Sequence, residues 1–181
     1  TWFRLKSLPA LDNAMVVYSK YNSTNNKRSF MLAVFTSATN THVRVWLGYN
    51  SGLSYENIIH AYALSVDNWY HVTATYENAG KTCSLRLKDQ YGSPLGTDET
   101  PTATLDGNKL YVSDAPVFIG AVNPTPVYYM NGLIDELPVF NDILTAAEAT
   151  QIAMGGYGIK YSGYVGDMKL GYGGIGTRGL S

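Results

Sequence analysis

Residues 128–141 constrain the fold more than any other stretch of the chain. Asn131-Gly132 predicts a two-residue type I′ turn, because both residue types tolerate the positive φ that such a turn demands. After it, Leu133, Asp135, Leu137 and Val139 alternate with Ile134, Glu136, Pro138 and Phe140, which is the period of a strand. Pro138 has no N–H for a ladder, so it predicts an edge or a bulge. Two acids in an apolar run need backbone donors, a basic side chain or a cation. Neighbouring strand residues face opposite ways, so Asp135 and Glu136 cannot be the facing carboxyl pair that glycoside hydrolysis requires. Asp98-Glu99 is a second adjacent pair, in a loop-like stretch. No nucleophile-elbow pattern is present. The expectation is a non-catalytic protein.

The remaining sequence repeats that theme. Strands are predicted at residues 2–6, 14–20, 30–35, 42–49, 58–64, 69–77, 82–88 and 116–121. Turn residues separate them every 8–12 positions. Residues 30–35 are apolar on both parities and predict a strand covered on both faces. Residues 21–28 and 50–57 look like loops, and Asn22-Ser23-Thr24 in the first matches a glycosylation acceptor. Thr145-Ala146-Ala147-Glu148 is a capping box opening a short helix over residues 145–153, which Gly155-Gly156 stop. Ten or so strands with one helix predict an all-β, antiparallel two-sheet sandwich.

Composition excludes several function classes. Charged residues make up 15% of 181, with net charge −1, so no basic footprint for nucleic acid exists. No apolar run approaches the ~18 residues of a membrane span, and membrane insertion is not expected. Cys83 is the only cysteine. It shares a parity with Leu85 and Leu87 and predicts a buried thiol, not a reactive one.

Two side-chain groupings carry chemistry. His42, His60 and His71 fall on the less apolar parity of their strands and would converge on zinc only if those strands were neighbours. His42, Arg44 and Trp46, with His60, Tyr62, Arg86 and Lys88, would form a polar-aromatic face if their strands shared a sheet. Such a face suits glycans, because rings meet sugar C–H groups while polar neighbours meet hydroxyls.

Composition breaks at residue 155. Ten glycines in 27 residues, punctuated by Tyr157, Tyr161, Tyr164 and Tyr172, cannot hold a core. The domain is therefore expected to end at residue 154, with residues 155–181 a linker or docking arm.

Three separated motifs resemble laminin-G-like, concanavalin A-like jelly-roll domains. They are Trp69-Tyr70-His71-Val72 with Tyr76, Val117-Phe118-Ile119-Gly120-Ala121, and Gly132-Leu133-Ile134-Asp135-Glu136 running through Asn141, Leu144, Thr145 and Glu148. The resemblance covers roughly residues 1–154 and implies a jelly-roll sandwich. It also implies a further strand ahead of residues 1–6, so residues are expected upstream or another segment in that place. One structural calcium is implied as well, with Asp135 as the position carried over and Asn123 a companion oxygen donor. The function implied is adhesion or glycan recognition on an extracellular or virion surface, directed at a glycan or surface glycoprotein. The alternative is a structural subunit that assembles with copies of itself or other proteins through a sheet edge and the C-terminal arm.

Overall fold

Period-two alternation becomes two antiparallel sheets packed face to face. The computed structural model describes residues 1–22, 24–96, 105, 109–122 and 128–154. In chain order the elements are β1 (Trp2–Leu5), β2 (Ala14–Asn22), β3 (Lys27–Thr36), β4 (Thr41–Tyr49), β5 (Ser54–His60), β6 (Trp69–Glu77), β7 (Thr82–Asp89), β8 (Phe118–Ile119), β9 (Gly132–Asp135) and α1 (Ala146–Ala153). One sheet has the order β7-β6-β1-β9 and the other β5-β4-β3-β2-β8. The sandwich expected from the sequence is what forms.

Inward-pointing residues of both sheets make one core, with Phe3 and Leu5 from β1, Val34 from β3, Val43 and Val45 from β4, Val72 from β6 and Leu85 and Leu87 from β7. A second, smaller cluster lies on the far side of the five-stranded sheet and joins Val16, Met31, Ala33, Trp46 and Val122. The predicted two-faced burial of β3 is thus observed: Leu32 and Val34 face the main core, Met31 and Ala33 the outer cluster. Cys83 is buried in the main core, where desolvation pushes its thiol up to about 12.

The opening stretch folds differently from the hairpin its sequence suggests. Gly132 is the first residue of β9 and pairs with Leu5 of β1. Positive φ falls instead on Tyr128 (60°) and Glu136 (46°). Glycine is needed at 132 for another reason: a Cβ there would collide with the carbonyl oxygen of Arg4. The close approach of two backbones, not turn chemistry, accounts for the residue. The strand then stops at Asp135, three positions before Pro138.

Two predicted loops also shrink. Residues 50–57 hold only a short 3-10 turn, Asn50–Gly52, before β5 begins at Ser54. In residues 21–28, Tyr21 and Asn22 still belong to β2 and Lys27 already to β3. Asn22 is 7% exposed, and its side-chain oxygen accepts from the amides of Thr24 and Asn25 at 3.1 and 3.3 Å. That oxygen shapes a turn.

The capping box forms as predicted. The Glu148 amide donates to Thr145 Oγ1 at 3.2 Å, and the Thr145 amide donates to Glu148 Oε2 at 2.8 Å. The helix lies near the four-stranded sheet. Its Ile152 lines a cavity together with His71, Thr73 and Thr75, and Met154 Cγ sits 2.7 Å from where a Cβ on Gly92 would lie. Thr1 and Val72 exchange backbone hydrogen bonds of 2.9 and 3.0 Å. Past Val72, β6 runs to Glu77 with β7 as its only strand partner among the described residues. The cavity beside that edge holds about 400 Å³ and reaches Leu32, Val45 and Leu47 between the sheets.

Candidate functional site

Antiparallel partners share a face, so strand register decides which candidates meet. In β4, His42 pairs with Phe35, Arg44 with Ala33 and Ile59, and Trp46 with Met31 and Asn57. All of these lie on the outer face of the five-stranded sheet. His60 pairs with Val43, a core residue, and so points inward. Tyr62 packs against the same core, its ring edge-on to Tyr70 at 6.5 Å. Arg86 belongs to the other sheet, opposite Thr73, and its Nη1 donates to Ser84 Oγ at 2.9 Å; Lys88 is opposite His71.

The expected patch therefore divides. His42, Arg44 and Trp46 come together; His60, Tyr62, Arg86 and Lys88 do not join them. The three histidines occupy three surfaces and cannot share a zinc ion. Among the described residues no three His, Cys, Asp or Glu side chains gather at one point.

Arg44 is the centre of what remains. Its guanidinium carbon lies 3.8 Å from the centroid of the Phe35 ring and 5.2 Å from that of Trp46, within cation–π range of both. Nη2 contacts His42 Nε2 at 3.2 Å, and His42 Nδ1 contacts Asn40 Oδ1 at 3.0 Å. Arginine only donates, so Nε2 accepts and the imidazole is neutral, with its proton on Nδ1 toward Asn40. Burial first, and then the Arg44 charge, hold His42 below its ordinary value. Arg44 Nε is buried without a hydrogen-bond partner among the described residues.

Exposure separates ring supports from ring contacts. His42 and Trp46 are only 3% and 8% exposed, while Tyr55 and Ile59 on β5 are 48% and 39% exposed. Trp46 is a floor beneath the arginine, and the solvent-facing surface is made by Arg44, Tyr55, Asn57 and Ile59. Sequence reasoning missed Phe35, Tyr55, Asn57 and Ile59. The signal was present in the alternation of residues 54–60, hidden by the Gly-Ser composition just before it.

Asp135 is exposed, and its Oδ1 accepts from the Glu136 amide at 2.9 Å, where the backbone turns to positive φ. A carboxylate is the hard oxygen donor calcium takes, but the described residues bring no second acid-bearing cluster to it. Its expected companion Asn123 lies outside the described residues, as do Tyr157, Tyr161, Tyr164 and Tyr172. On the four-stranded sheet, His71 is 2% exposed with Trp2 edge-on at 5.0 Å. Burial first, and Lys88 after it, lower its imidazole to about 3.

Comparison with known proteins gives one family. The pattern of the concanavalin A-like lectin/glucanases superfamily matches residues 1–150. No curated protein matches the chain. Among the described residues no helix is long and apolar enough to cross a membrane. With most of its length matched and two antiparallel sheets facing each other, the chain belongs to the concanavalin A-like lectin/glucanase superfamily.

Proposed function

We propose that this domain is a non-catalytic module that recognises glycans, or a surface glycoprotein through its glycans, at an extracellular or virion surface. The observation carrying this is the outer face of the five-stranded sheet. There the Arg44 guanidinium lies on the Phe35 and Trp46 rings beside exposed Tyr55 and Ile59. Apolar surface at the ring and aliphatic side chains suits sugar C–H faces, and Arg44 and Asn57 offer donors to hydroxyls. The proposal includes one structural calcium near Asp135. A glycan array read with and without EDTA tests both parts. Signals for defined glycans support recognition, and their absence sinks it. Signals that ignore EDTA, with an unchanged melting temperature, remove the calcium.

A second reading rests on a different observation. Among the described residues β6 has no strand partner past Val72 on the side that β1 pairs, and that edge lines the cavity between the sheets. Such an edge invites strand addition, which would make the chain a subunit of an assembly with its own copies or other proteins. Residues 155–181 are the proposed arm. A sizing run separates the readings: a multimer that becomes monomeric without residues 155–181 favours assembly.

A further inference from the structure

We infer that the outer face of the five-stranded sheet takes an acidic glycan, with the carboxylate of a uronic or sialic acid residue held by Arg44. The inference rests on the glycan reading above and narrows it.

The argument begins with an imbalance of charge. Arg44 is half-buried and stacked on Phe35 at 3.8 Å. Its one hydrogen-bond partner among the described residues is neutral His42. The two ion pairs among those residues, Arg4 with Asp67 and Lys27 with Asp114, are elsewhere. On β5 the residues facing Arg44's side are Tyr55, Asn57 and Ile59. Glu56 alternates to the other side, opposite Leu47. No carboxylate on either flanking strand compensates the guanidinium.

A partly desolvated cation without a counter-ion is costly to keep. Cation–π contact of the guanidinium with two rings explains why Arg44 lies here, but a lysine ammonium could make that contact too. The guanidinium adds a rigid planar fork. His42 fixes it through Nη2, and Nη1 makes no bond among the described residues. Nη1 and the Nη2–H that His42 does not take remain as donors, and a guanidinium edge of that kind suits the two oxygens of a planar carboxylate. Tyr55 and Ile59, exposed beside it, give the sugar ring that carries the carboxylate an apolar surface to lie on. Asn57 is placed for its hydroxyls.

The test is titration calorimetry with sialyllactose, an oligogalacturonate, sulfated lactose and lactose. It uses the full chain, Arg44→Gln and Arg44→Lys, each first shown by thermal melting to be folded. The expected result is that a carboxylated glycan binds about tenfold more tightly than lactose, the worth of one charge-assisted fork. The ratio falls toward one in Arg44→Gln and is only partly retained in Arg44→Lys, which keeps the charge without the fork. Lactose binding as tightly as the carboxylated glycans overturns the inference and leaves the glycan reading standing. Sulfated lactose matching them overturns the carboxylate assignment, as does an Arg44→Gln protein with an unchanged ratio. Binding to none of the four overturns both.

Discussion

At the scale of single residues, burial without a partner sets the chemistry. His71 titrates near 3 in the folded chain and near 6.5 when unfolded. A depressed histidine is neutral when folded, so its contribution is full above the unfolded value. It is lost as pH falls from about 6.5 toward 3, by roughly 1.4 kcal/mol per unit. Urea midpoints should fall steeply across that window, and His71→Gln should flatten the slope; midpoints that hold steady contradict the assigned burial. Cys83, raised to about 12 by desolvation, should react with a thiol reagent only after unfolding. Fast modification of the native protein would show that the core is open there. The sequence foretold this cysteine, because Leu85 and Leu87 share its parity. It could not foretell the burial of His71, which depends on Trp2 meeting it across a strand pair.

At the scale of elements, local signals succeeded where local physics decides. The capping box at Thr145 is one such case: two side chains three residues apart satisfy each other's amides. Thr145→Ala should cost about 1 kcal/mol, read as a drop in the urea midpoint. Asn131-Gly132 is the opposite case. Its turn preference yields to pairing of β9 with β1, and the glycine serves the passage of Arg4's carbonyl. Gly132→Ala should cost about 2–3 kcal/mol through overpacking, whereas Asn131→Ala, with no positive φ to support, should cost far less. Equal losses would restore the hairpin. Face assignment failed in the same way. His60 and Arg44 both sit on polar parities, and only register against Val43 sends His60 inward.

At the scale of the whole molecule, the five-stranded sheet carries an apolar cluster on each of its faces. The main core holds the sheets together. The outer cluster braces β2, β3 and β4 and makes the floor on which Arg44 lies. Alternation and turn spacing made the sandwich legible. The candidate site was half legible, because His42, Arg44 and Trp46 lie on one strand, while Phe35, Tyr55 and Ile59 reach them only through pairing. Chemical-shift mapping of the labelled chain with sialyllactose tests the assigned face most directly. Shifts should concentrate on Phe35, Arg44, Tyr55 and Asn57, with the four-stranded sheet unmoved. Shifts clustered at β6, β7 or the β9 segment, with β4 and β5 silent, would contradict it.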